Sequence, residues 1–194
     1  MITIESSELQ TKKWRKEQEW YVNGKSNECE IYQRNLLENI MKCKIQKSKY
    51  RFNMENNSFE QVTCPNTKSN GFEYTEDMDG SCEIGGTKYY FNLKMVCDDG
   101  GAQTRTLRET YHFIIAQCEW MLEKKPDMVF INILDGDTSY KHKDKFRYLI
   151  NESRNKKFVS LHDKIFVGDL LEFESWWKEN YLDEEALLAA LEDK

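Results

Sequence analysis

Proline is almost missing from this 194-residue chain, with two in all, and glycine is sparse at nine. Collagen-like and low-complexity architectures are excluded on that count. No stretch approaches the ~18 consecutive apolar residues of a bilayer-spanning helix. The opening residues, Met-Ile-Thr-Ile-Glu-Ser-Ser-Glu, lack the basic region and apolar core of a secretory signal. Cys29, Cys43, Cys64, Cys82, Cys97 and Cys118 form no C-x-x-C pair, and His112, His142 and His162 stand at no metal-ligand spacing. A zinc module or a disulfide framework is therefore not expected. The expectation is a soluble, cytoplasmic protein with reduced, mostly buried thiols, no membrane partner and no small-molecule cofactor.

What is present suffices for a core: 39% of residues are hydrophobic and 13% aromatic, so wholesale disorder is excluded. The length suits a single domain over 1–194. The net charge of −6 is unevenly spread, because residues 169–194 alone carry −7 and the first 168 sum to +1. The body of the chain is thus compatible with a nucleic-acid partner, and equally with an ordinary surface and an acidic last segment.

Three regions follow. Residues 1–70 read as a helical N-terminal part for DNA contact or dimerisation, with an amphipathic helix over 28–50 carrying Ile31, Leu36, Leu37, Ile40, Met41 and Ile45. Lys42, Lys44, Lys47, Lys49 and Arg51 continue its polar side as a phosphate-tracking surface or a solvated face. Residues 52–71 read as loop. Residues 71–170 read as an α/β core, with strands at 79–84, 87–96, 127–134 and 164–169 and helices at 105–124 and 141–152. The helix between the second and third strands suits a right-handed crossover joining parallel strands. Acidic helices over 171–194 close the chain. Trp14, Trp20, Trp176 and Trp177 read as core or dimer contacts, His112 as a residue packed beside Tyr111, and Asp135 and Asp137 as turn residues at a strand end.

Gly85-Gly86 is a two-residue hairpin signal, since glycine accepts the positive φ such turns need. Counting outward sets Asp79 opposite Asn92 and Asp77 opposite Lys94. Because side chains alternate, all four are expected on one face. Two carboxylates, an amide and an ammonium so gathered suit a Mg²⁺ that keeps several waters and a hydrolysis in which the ion polarises a phosphoryl oxygen. A solvated hairpin with unremarkable charges is the bland alternative.

Asp79, twelve residues, then Asn92-Leu93-Lys94 on an aromatic strand resembles the PD-(D/E)XK nuclease signature. The segment FNLKMVCDDGGAQTRTLRETYHFI is similar to that of small type II restriction endonucleases, and the resemblance spans about residues 72–170. It implies a PD-(D/E)XK-type mixed sheet, an antiparallel hairpin plus parallel crossover strands, flanked by helices. It implies sequence-specific, Mg²⁺-dependent hydrolysis of double-stranded DNA by a homodimer, leaving 5′-phosphates, with Mn²⁺ able to substitute. Asp79 would be the principal metal ligand and Lys94 the lysine beside the attacking water. Asn92 departs from the pattern, which has an acid there. Asp77, Glu73, Glu76 or Glu109 would complete the site. Gln103, Thr104, Arg105 and Arg108 would contact phosphates or base edges, or else merely open a helix capped by Thr104 or Thr106. Two other readings remain: a repair or junction-resolving nuclease of the same fold, and a DNA-binding module that lost its acid at Asn92.

Overall fold

The computed structural model describes residues 3–62, 74–150 and 156–181. In chain order the elements are α1 (Lys12–Lys16), α2 (Ser26–Met41), β1 (Tyr50–Asn53), β2 (Ser58–Gln61), β3 (Thr75–Asp77), β4 (Gly80–Ile84), β5 (Thr87–Met95), α3 (Gly101–Lys124), β6 (Met128–Asp135), α4 (Asp137–Lys141), α5 (Lys143–Ile150), β7 (Ile165–Gly168) and α6 (Leu170–Tyr181). They build an α/β fold. A four-stranded sheet has the order β4-β5-β6-β7, and a three-stranded antiparallel sheet the order β2-β1-β3. β4 is antiparallel to β5, while β5, β6 and β7 run parallel, with α3 as the crossover between β5 and β6.

Alternation along β5 and β6 divides two cores. Tyr89, Phe91 and Leu93, with Val129, Ile131 and Ile133, face Leu36, Leu37 and Met41 of α2 and Leu170, Phe173 and Trp177 of α6. Tyr90, Phe130 and Leu134 face Phe113, Ile114, Cys118 and Met121 of α3 and Phe146 and Leu149 of α5. The near-continuous apolar run of β6 follows from this, since a parallel strand covered on both faces has no solvent side. Trp176 and Trp177 belong to the α6 packing, and Trp14 and Trp20 meet Tyr32 of α2 edge-on and stacked, respectively.

Several expectations need correction. Within the stretch 52–71 expected as loop, residues 52–53 and 58–61 are strand, in the two-stranded ladder β1–β2 completed by β3, and the helix expected over 28–50 ends at Met41, so the N-terminal region is not wholly helical. The reason is tertiary: Phe52 is fully buried against Phe113, Trp120 and Phe130, and Tyr50 stacks on Phe59. Four-residue strands, one with a single buried position and the other with none, carry too short a pattern to be read locally. Before α2, residues 12–16 alone among the described residues are helical. The helix α3 begins at Gly101, four residues earlier than expected, with Gly100 as its N-cap and neither threonine in that role; Thr104 and Thr106 turn their hydroxyls back onto the carbonyls of Gly100 and Ala102. The expected helix at 141–152 is split into α4 and α5 around His142. The acidic stretch beyond 181 lies outside the described residues.

Candidate active site

The hairpin turn sets the site's geometry. Gly85 and Gly86 take φ of 59° and 88°, the two consecutive positive values a tight hairpin requires. The ladder then runs from Ile84↔Thr87 to Gly80↔Phe91. One step further, the Asp79 N–H donates to the Phe91 carbonyl at 2.8 Å, and Asp79 Oδ2 accepts the Leu93 N–H at 2.7 Å. Lys94 Nζ lies 3.9 Å from that Oδ2 and donates to Glu76 Oε1 at 2.8 Å. Thus Asp79 and Lys94 share one side of the hairpin, and Glu76 joins them.

Asp77 does not. The strand changes sheets at Met78–Asp79: the Met78 N–H donates to Tyr50 of β1, the Asp79 N–H to Phe91 of β5. The alternation counted along a single hairpin therefore ends at Asp79. Asp77 pairs in register with Arg51, whose Nε donates to its Oδ1 at 2.5 Å. That carboxylate is engaged elsewhere, and Glu76 takes the place opposite Lys94. Glu73 lies outside the described residues. Glu109 lines the same cleft of about 320 Å³ as Glu76 and Lys94, with Thr106, Thr110 and Phe113 as further α3 residues.

Asn92 shares the face of Lys94 but is sealed beneath it at 0% exposure. Its Nδ2 donates to Asn132 Oδ1 at 3.1 Å, and Asn132 is held in turn by Gln117 of α3 at 2.8 Å. The Asn92 Oδ1 is buried without a hydrogen-bond partner among the described residues, an orphaned acceptor of the sort a cation or water satisfies. Among the described residues no three His, Cys, Asp or Glu side chains form a ready metal cage.

Burial pushes the Asp79 carboxyl up to about 6, against the opposing pull of the Lys94 charge and the Leu93 N–H. Burial works the other way on Lys94, but Asp79 and Glu76 outweigh it and hold the ammonium above its ordinary value. Lys94 is therefore a fixed cation at neutral pH, while Asp79 is mostly ionised there but gains a proton in mild acid.

The helix α2 contributes what sequence reasoning missed. Glu30 raises both Asp79 and Lys94 by its charge, Gln33 Nε2 donates to the Lys94 carbonyl at 3.2 Å, and Arg34 Nη2 donates to the Asp79 carbonyl at 3.0 Å. Positions 30, 33 and 34 lie on one helix face by the i, i+3, i+4 rule. That spacing is visible in the sequence; which strand the face meets is not.

The expected DNA-contact residues divide. Gln103, Thr104, Arg105 and Arg108 occupy the first two turns of α3, and Thr104, Arg105 and Arg108 are exposed. Arg105 stands one turn before Glu109 but does not itself line the cleft. Thr104 and Arg108 instead line a separate cavity toward α5. Lys42 and Lys44 are exposed past the C-terminal end of α2, about two helical turns beyond Arg34, and Lys44 pairs with Glu38 at 2.8 Å; neither joins the cleft. Asp135, read as a turn residue, is fully buried at the end of β6 and accepts from Gln33, Ser7 and Leu170.

The fold thus defines an α/β protein in which Lys94 joins two acids, Asp79 and Glu76, beside a cleft that Glu76 and Lys94 line. No protein-family model, curated protein or solved structure matches the chain.

Proposed function

We propose that Asp79, Glu76 and Lys94, beside the cleft that the latter two line, form the active site of a Mg²⁺-dependent deoxyribonuclease of the PD-(D/E)XK kind, acting as a site-specific type II restriction enzyme on double-stranded DNA. The observation that carries the reading is the approach of Lys94 Nζ to Asp79 Oδ2 at 3.9 Å with Glu76 at 2.8 Å. An acid just before β4 and a lysine on β5 supply an oxygen ligand for a hydrated cation and a positive charge for the phosphate. The donor set suits a hard ion: the Asp79 carboxylate stands immediately before β4 and the orphaned Asn92 Oδ1 on β5, and Mg²⁺ needs few protein oxygens because it retains water. Asp79 would hold it, with Glu76 or Glu109 as the second acid.

When bound, such an ion polarises a phosphoryl oxygen and acidifies a coordinated water. The chain's own residues do the rest. Lys94, held cationic by its two carboxylates, orients a water by donation and offsets charge gathering on the phosphate. Arg105, on the exposed first turns of α3, supplies a phosphate contact beside the cleft. Glu30 and Glu76 keep the lysine charged. Two copies related by a two-fold axis would address the two strands of a palindromic site.

Incubation with plasmid or phage DNA and Mg²⁺, followed by sequencing of fragment ends, tests the reading. Discrete 5′-phosphorylated ends are expected, and their loss in Asp79→Asn and Lys94→Ala with melting temperature retained. Full cutting by either variant refutes the assignment. A second reading, a DNA-binding module without cleavage, is favoured by one observation: Asn92 is sealed where the family pattern has an acid. It predicts Mg²⁺-independent binding, no cutting even with Mn²⁺, and new cutting by Asn92→Asp.

A further inference from the structure

A second cavity lies across α3 from the Lys94 cleft. Leu107 and Tyr111 of α3 and Phe146 and Tyr148 of α5 form its apolar and aromatic wall, with Arg108 and Lys145 among the residues lining it. Its volume is about 650 Å³, within the range of small-molecule sites. The wall is built: Leu107 and Phe146 are buried, and Tyr111 meets Phe146 edge-on at 5.7 Å, while Tyr148 stays 36% exposed. Arg108 and Lys145 are exposed, and neither makes an ion pair or side-chain hydrogen bond among the described residues. The one acid on the lining, Asp144, is 4.0 Å from Arg147.

The two halves ask for different things. Aromatic faces with an exposed tyrosine suit a planar ring, which stacks irrespective of its identity. Two cations without partners among the described residues suit an anion, and an arginine matches phosphate oxygens bidentately. A ligand offering both a flat heteroaromatic ring and a phosphate satisfies the cavity; an apolar ligand would leave the cations uncompensated, and inorganic phosphate would leave the wall bare.

We propose that this cavity binds one nucleotide unit, with its base against Tyr111 and Tyr148 and its phosphate on Arg108 and Lys145. The site is separate from the Lys94 cleft and does not depend on that cleft being catalytic. The unit is either a free mononucleotide or a single nucleotide unstacked from a strand, and the chemistry is common to both.

Titration calorimetry of the full chain with the four deoxynucleoside monophosphates, the matching deoxynucleosides and inorganic phosphate tests it. At least one monophosphate should bind at least tenfold more tightly than its nucleoside and than phosphate. The double variant Arg108→Ala/Lys145→Ala and the single variant Tyr148→Ala, all at exposed positions, should each weaken that binding at least tenfold with unchanged melting temperature, whereas Lys94→Met should leave it intact. A parallel arm uses a 2-aminopurine oligonucleotide. A fluorescence rise abolished by Tyr148→Ala assigns the site to a strand nucleotide, and calorimetric binding without that rise assigns it to a free one. Absence of both signals overturns the proposal. So does binding that Lys94→Met removes and the Arg108/Lys145 pair does not, which would place the nucleotide in the other cleft.

Discussion

Replacing Asp135 by asparagine should reverse the sign of its effect on stability between acid and alkaline pH. Asp135 has 0% exposure. Burial lifts its carboxyl from 3.8 to about 7, although donation from Gln33 and from the Leu170 N–H pulls the other way. In the unfolded chain the same group titrates near its ordinary value. Below about pH 4 the carboxyl is protonated in both states and costs nothing. Between about 4 and 7 the folded state holds a proton that the unfolded state has released, so stability falls as pH rises. Three units at 1.36 kcal/mol each amount to about 4 kcal/mol, lost in full above about pH 7. In Asp135→Asn the amide oxygen keeps the bonds from Ser7 and Leu170. Its nitrogen faces Gln33, whose Oε1 has no partner among the described residues. Turning the Gln33 amide satisfies the new donor but gives up its bond to the Lys94 carbonyl, a cost of about 1 kcal/mol. The variant should therefore gain about 3 kcal/mol at pH 8 and lose about 1 kcal/mol at pH 4. In melting temperature that is about 6–12 °C up and about 2–4 °C down. Calorimetric scans of both proteins from pH 4 to 8 measure it. Equal displacements at the two ends would show that Asp135 is not a buried, reluctant acid.

Four further outcomes follow from particular contacts. Gly136→Ala should destabilise well beyond a strained turn, because φ is +97° and a Cβ would sit 2.3 Å from the Val96 carbonyl oxygen. Gly85→Ala, with φ +59° and open space around it, should cost only about 1–2 kcal/mol; urea melts of the pair should rank them in that order. Phe52→Ala should cost about 3–5 kcal/mol, read by the same melts, because Phe52 joins the small sheet to α3. Divalent-ion affinity measured by calorimetry should fall roughly tenfold per pH unit below about 6, where Asp79 takes up a proton, and a flat profile between pH 5 and 7 would contradict the raised carboxyl.

The local signals of this sequence were strong wherever a pattern was long or a turn had a single solution. The two glycines admit one tight hairpin, so the pairing that places Asp79 beside β5 and two residues from Lys94's side could be counted out by hand. The 24-residue α3 and the apolar β6 repeat their periods often enough to be read. Asp77 was misplaced because the count assumed one continuous strand, whereas the chain leaves for another sheet at Met78. No local rule announces that break. Packing decides it, since Tyr50 offers its carbonyl to Met78 and Arg51 its guanidinium to Asp77.

The sequence by itself determined the hairpin register, the crossover order of strands and helices, and the candidate pair of acid and lysine, because backbone geometry near a turn and side-chain periodicity are short-range properties. Only the tertiary structure decided that Glu76 rather than Asp77 meets Lys94, that Glu30, Gln33 and Arg34 close over them, and that Asn92 is sealed. Those contacts join residues 18 to 64 positions apart, and their existence depends on which faces exclude water together, a property of the assembled layers and not of any segment alone.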